Sequence, residues 1–208
     1  ADPERAVAAQ AYMKSAMPFL GVRVPQVRAL TRAQVKQRPP ATAESLRDTV
    51  LMMWRAAAYR EERYAATELL NTRWARAVRS PQQIELYAEL ITTGAWWDHV
   101  DEVSHRVGEL LAAFPAEIRP VVASWQTSDD HWLRRSSIIC QIGAREQTDR
   151  ELLTAAIDAS ASERDFFLRK AIGWALRSYA YTDPDWVRSF VAARDLSPLS
   201  VREALKHL

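Results

Sequence analysis

The 208-residue chain has only 5 glycines, a single cysteine and no long apolar run. Scarce glycine argues against a β-rich fold closed by many tight turns, because those turns need positive φ. The lone Cys140 cannot close an intramolecular disulfide, so the natural reading is a reducing, cytoplasmic setting. No apolar stretch approaches the roughly 20 residues of a membrane-spanning helix, and no membrane association is expected. Several chemistries are also missing. There is no Gly-rich phosphate loop, no Gly-x-Ser-x-Gly and no His-Glu-x-x-His, and the four histidines (His99, His105, His131, His207) do not pattern with Cys or acids as zinc ligands. No metal and no organic cofactor is expected. Lysine is rare too: only Lys14, Lys36, Lys170 and Lys206 stand among 28 basic residues. The rest are arginine, the better residue for bidentate phosphate contact. A net charge of +2 does not exclude nucleic acid, provided the positive charge gathers on one face.

What is present is helical punctuation. Apolar residues make up 48% of the chain, enough for one compact domain or repeat array over 1–208. Helices are predicted from Pro3 to Met17, Val24 to Lys36, Thr42 to Ala57, Glu61 to Arg79 and Pro81 to Thr92. Gly94 ends that run, and a helix bearing Trp97 follows. Further helices run from Pro115 to near Trp125, from the Ser128-Asp129-Asp130 cap to Ile142, from Thr148 to Ala159 and from Ser162 to near Tyr181. Asp183-Pro184 and Ser197-Pro198 open the last two. No strand pattern occurs. Trp97, Trp132 and Phe167 recur at intervals of 35 residues, each opening the second helix of a helix pair. The prediction is all-α: an α-solenoid of HEAT-like antiparallel helix pairs, about six in number, whose second helices line a concave face.

The stretch from Ala95 to Leu111 organises the chain. As a helix it places Val100, Val103, Val107, Leu110 and Leu111 on one apolar stripe. Trp97 and Asp101, at i and i+4, fall on its edge, continued by the small residues Ser104 and Gly108. An aromatic and a carboxylate then share a groove with clearance beside them. Either Trp97 caps the core over a solvated Asp101, or the pair is a site. Arg135, in the company of Ile138, Ile139 and Ile142, needs a partner, which is either an internal carboxylate or an external phosphate. Trp174 lies off its helix's core stripe between Lys170 and Arg177. That arrangement suits stacking on a sugar or base beside phosphates, or simple cover by the basic stems. His105, four residues past Asp101, either pairs with it or is a solvated helix side chain, the second being the commoner arrangement, and Cys140 reads as a small apolar residue.

Segments spread over nearly the whole chain resemble the AlkD-type DNA alkylation-repair glycosylases, bacterial HEAT-like repeat proteins. They are Tyr12-Met13-Lys14, Pro18-Phe19-Leu20-Gly21, Trp96-Trp97-Asp98-His99-Val100-Asp101, Trp132-Leu133-Arg134-Arg135, Phe166 through Trp174, and Leu199 through His207. The resemblance implies Asp101 as catalytic acid, Trp97 and Trp174 as its aromatic partners, and Arg135 as the family's important arginine. It places Arg28 in register with a phosphate-contacting arginine; the DNA contacts expected are Tyr12, Arg23, Val24, Arg28, Arg135, Lys170, Arg177 and Lys206. It also implies opposite-strand contacts from the Gly21–Pro25 turn. There, Arg23 and Val24 depart from the family's smaller polar pair.

The activity implied is hydrolysis of the N-glycosidic bond of positively charged N3- and N7-alkylpurines in duplex DNA, by a monomer associated with the nucleoid. A cationic base leaves readily, so the protein's task is to stabilise the oxocarbenium-like sugar with a carboxylate and indole faces. No deep base pocket is implied, unlike most glycosylases. No lysine stands beside Asp101 in the sequence, so no lyase step is expected. The competing readings are a non-catalytic HEAT-like DNA-binding module, for which an acid near anionic backbone has no use, and a protein-interaction solenoid lacking a basic stripe.

Overall fold

A computed structural model describes residues 1–208. It is all-α, with thirteen α-helices, one 3₁₀ turn and no strand, as the punctuation predicts. No helix is long and apolar enough to cross a membrane. The chain forms two compact units, Ala1–Leu86 and Tyr87–Leu208.

The first unit holds α1 (Pro3–Met13), α2 (Val24–Gln37), α3 (Ala43–Ala56), α4 (Arg60–Leu70) and α5 (Arg73–Ala77). Its helices α2 and α3 pack on α4, burying Val27, Val35, Leu46, Val50, Trp54, Ala66 and Leu70. The first helix stops four residues before the predicted Met17, because Lys14 turns left-handed (φ 48°) and its N–H bonds back to Gln10 and Ala11 carbonyls. The predicted Glu61–Arg79 helix is two helices. Thr72 accepts from the Ala75 N–H and starts a new one, since a hydroxyl that caps locally competes with the continuing ladder. Thr42 and Ser45 cap α3 reciprocally, as read from sequence.

A buried carboxylate shapes the turn before α2. Glu61 is 4% exposed and accepts from the N–H groups of Leu20 (2.9 Å), Gly21 (2.8 Å) and Val22 (3.1 Å). Gly21 sits at φ +77°, and a Cβ there would lie 2.0 Å from the Asp2 carbonyl oxygen. Only glycine meets both demands.

The helix α6 (Gln83–Gly94) carries the boundary between units. It starts after Ser80-Pro81, which form a turn and not its first residues. The second unit continues with α7 (Trp97–Ala113), α8 (Pro115–Trp125), α9 (His131–Ile139), the 3₁₀ turn Arg145–Gln147, α10 (Arg150–Asp158), α11 (Phe166–Ala180), α12 (Pro184–Ala192) and α13 (Pro198–Ala204). Packing runs α7 on α9, α9 on α11 and α11 on α13. Helices α8 and α10 contact each other and α9, and α12 contacts α11 and α13. Two rows of helices stacked pair by pair are the arrangement of an α-solenoid. Aspartates cap four of these starts: Asp130 for α9, Asp149 for α10, Asp165 for α11 and Asp183 for α12. Thr148 and Ser162, read from sequence as the starts of two helices, lie outside them. In each case an Asp nearer the apolar stripe takes the N-cap position, where its carboxylate also meets the helix dipole favourably.

Candidate active site

Ala95 sits at φ 40° and Trp96 is extended (φ −155°, ψ 148°), so α7 begins on Trp97. Helices α9 and α11 each begin one residue before their aromatic, on His131 and Phe166. The even spacing of Trp97, Trp132 and Phe167 therefore does not mean equal placement. Trp96 is the residue that stacks with Trp132 (centroids 6.1 Å) and Phe167 (5.4 Å), the latter two lying 4.9 Å apart. Trp97 is left to line a pocket of about 270 Å³ with Asp101, Arg135, Lys170, Trp174 and Arg177. Phe166, Phe167 and Glu203 complete its wall.

Asp101 is not solvated. Arg135 Nε donates to Asp101 Oδ1 (2.7 Å) and Nη2 to Oδ2 (2.9 Å), while Nη1 donates to the Phe167 carbonyl (2.5 Å). The two side chains are 18% and 5% exposed. Of the two partners left open for Arg135, the structure supplies the internal carboxylate. Arg135 thereby ties three helices together, since Asp101 is on α7 and Phe167 on α11. Burial pushes the Asp101 carboxyl above the ordinary aspartate value, opposed by the Arg135 fork and then by His105 nearby.

Ser104 and Gly108 are small for a reason other than clearance. Ser104 is buried, its Oγ 2.7 Å from the Val100 carbonyl and 2.9 Å from Ser136 Oγ of α9. A Cβ on Gly108 would sit 1.9 Å from the Cys140 carbonyl oxygen. These positions let α7 and α9 approach, which brings Arg135 within reach of Asp101. Cys140 itself is buried, its thiol pushed up to about 12 by desolvation, which makes it no nucleophile.

Trp174 is half-buried, with the His105 ring edge-on at 6.3 Å and 83°. His105 is thus a partly exposed neighbour of the site. Lys170 and Arg177 converge on one acid of α13: Glu203 Oε1 lies 3.1 Å from Lys170 Nζ, and Oε2 lies 2.6 Å from Arg177 Nη1. Hydrogen bonding from Lys170, and then from Arg177, holds the Glu203 carboxyl below the ordinary glutamate value against burial. Sequence reasoning missed Glu203 and Phe166 as site residues. Both lie in the segments that carry the family resemblance, but a Glu after Arg202 reads as an ordinary solvated helix charge.

Tyr12, Arg23, Val24 and Arg28 belong to the first unit. Tyr12 is exposed on α1, Arg23 and Val24 open α2, and Arg28 faces the buried Glu68 at 3.4 Å, which Arg32 also holds at 2.6 Å. Lys206 is exposed just past the end of α13, outside the pocket wall. A larger cavity of about 580 Å³ lies among α7, α8 and the segment after α9. It contains none of the predicted residues, and its arginines Arg106 and Arg119 are paired with Glu109 and Asp149. No group of acids, histidines and cysteine stands close enough to hold a metal ion.

A model for the family of DNA alkylation repair enzymes matches residues 1–208. Among solved structures, one described as a predicted DNA alkylation repair enzyme from Enterococcus faecalis superposes with a TM-score of 0.90 at 30% identity, covering 100% of this chain and 96% of that one. No curated protein matches the sequence.

Proposed function

This chain belongs to the DNA alkylation repair enzyme family, and from that premise we propose that it is a monofunctional glycosylase. It hydrolyses the N-glycosidic bond of positively charged N3- and N7-alkylpurines in duplex DNA, in base excision repair. The observation that carries this is a carboxylate, Asp101, fixed by an arginine fork in a pocket it shares with two tryptophans, Trp97 and Trp174.

The chemistry follows from the charges. As the bond between the sugar and the base breaks, its electron pair leaves with the cationic base, which departs neutral, and positive charge moves to the sugar. The base is already cationic in the ground state, and the attraction to Asp101 strengthens as that charge moves onto the sugar beside it, which is differential transition-state stabilisation. The indole faces of Trp97 and Trp174 add to the same effect. Water then attacks the sugar, with Asp101 able to orient it and accept its proton. Arg135 holds Asp101 in place, and because the pair is fixed in advance it needs no reorganisation during reaction. Lys170 lines the same pocket, but its ammonium is held by Glu203. It is a phosphate contact and not a Schiff-base nucleophile, and no strand cleavage is proposed. Tyr12, Arg23, Val24, Arg28, Arg177 and Lys206 are the remaining proposed DNA contacts. The protein acts as a cytoplasmic monomer without metal or cofactor.

The test is release of free methylated purine from alkylated duplex DNA by the wild type and by Asp101→Asn. Release by the wild type, lowered by about 10²–10³ in the variant, is expected. Failure of the wild type to release base, or equal rates from both proteins, refutes the assignment.

A further inference from the structure

Lys170, Trp174 and Arg177 sit at i, i+4 and i+7 on α11, so the two cations flank the indole on one helix face. Both side chains are long and rotamer-rich, and nothing on α11 itself fixes their spacing. The fixing comes from α13. A Cβ on Gly173 would lie 2.4 Å from Glu203 Cβ and 2.9 Å from the Ser200 carbonyl oxygen. Ser200 Oγ also donates to the Arg169 carbonyl at 2.9 Å. The two helices therefore dock nearly backbone to backbone, which fixes the Cβ of Glu203 beside α11.

We propose that Glu203 is a positioning residue that holds Lys170 and Arg177 as a spaced pair of phosphate contacts on either side of Trp174. The proposal rests on the glycosylase reading above and adds to it a residue that touches no reacting atom. Glu203 engages one oxygen per cation, at 3.1 and 2.6 Å. An ammonium has three donors and a guanidinium five, so each cation keeps donors for a phosphate. Lys170 is 38% and Arg177 23% exposed, which leaves both reachable. A surface built only to bind DNA would do better without this carboxylate, which repels phosphate and cancels one of two positive charges. Its presence makes sense if the gain is in placement: the nucleotide is held so that its sugar meets Asp101 and the two indoles, and small misplacements there cost rate steeply.

That asymmetry is measurable. Single-turnover excision at saturating enzyme is followed on a duplex with one N7-methylguanine. Affinity for unmodified duplex is followed by anisotropy over a range of salt, and thermal melting is recorded for each protein. Glu203→Gln is expected to lose about tenfold to a hundredfold in maximal rate, while its duplex affinity stays equal or rises and becomes more salt-dependent. In a Lys170→Ala/Arg177→Ala background, adding Glu203→Gln is expected to leave the rate unchanged, because the groups it positions are gone. Wild-type rate in Glu203→Gln, a further loss in the cation-free background, or affinity falling in step with rate overturns the proposal. If Glu203→Gln melts too low to assay, Glu203→Asp keeps the charge but shortens the reach, and it is expected to show the rate loss. Full rate from that variant also overturns the proposal. A wild type that releases no base refutes the glycosylase reading itself, whereas an active wild type with an unaffected Glu203→Gln refutes only the positioning role.

Discussion

Asp101 joins two demands that a solvated acid would not face. It must stay ionised to serve a cationic sugar, yet burial favours its protonated form. Excision therefore should fall on acidification at a pH above the ordinary aspartate range, and a pH–rate profile under single-turnover conditions should place the acid limb there, with the limb absent in Asp101→Asn. The stability consequence has the opposite sense. A folded-state pKa above the unfolded value means the folded chain holds the proton more tightly, so this group favours folding below the unfolded pKa and that contribution is lost as pH rises through the folded one. The fork also changes what Asp101→Asn does to the fold. Sequence alone suggests an edge residue whose replacement leaves the fold nearly intact. With Arg135 only 5% exposed, losing half of a charge-assisted pair should cost about 1–3 kcal/mol. A double-mutant cycle between Asp101 and Arg135, read by denaturant unfolding, checks the coupling, and additivity would contradict it.

At the scale of the element, glycines and caps decide where helices start, stop and meet. Gly108→Ala and Gly173→Ala should each destabilise by about 1–3 kcal/mol through overpacking against a facing helix. Gly173→Ala should also lower excision, because its new methyl displaces Glu203. Gly143, at φ +91° with open space around it, should show only the smaller cost of the backbone conformation, about 1–2 kcal/mol. Paired melting curves and excision rates separate these three. In the first unit, Glu61→Gln can no longer accept from three N–H groups as a charged bidentate acceptor, so hydrogen exchange at Leu20, Gly21 and Val22 should accelerate. Unchanged protection there would show that the turn is held by its other bonds, such as Arg5 to the Gly21 carbonyl.

For the molecule as a whole, duplex binding through phosphates should weaken steeply with salt. The slope should be shallower than a count of the proposed basic contacts suggests. Lys170 and Arg177 share Glu203, and Arg28 and Arg32 share Glu68, so part of their charge is already neutralised before DNA arrives. A logarithmic slope of about −3 to −5 is expected. Affinity that stays flat as salt is raised would rule out this mode of binding.

Local chemistry made much of this legible from the sequence alone. The all-α class, the caps at Thr42, Asp183 and Ser197, and the helical edge shared by Trp97 and Asp101 depend on residues within a turn or two of each other, where spacing is enough. Local pattern also misled in identifiable ways. Asn71-Thr72 reads as helix interior until the Thr72 hydroxyl is seen capping, and the regular spacing of three aromatics hides that Trp96, not Trp97, joins their stack. The remainder needed the tertiary structure because it consists of contacts between residues far apart in the chain. Asp101 meeting Arg135, Glu61 gathering the Leu20–Val22 amides and Glu203 gathering two cations of α11 are each set by how closely two backbones approach. A glycine in a sequence does not say which carbonyl it will face, and a charged side chain does not say which opposite charge packing will deliver to it.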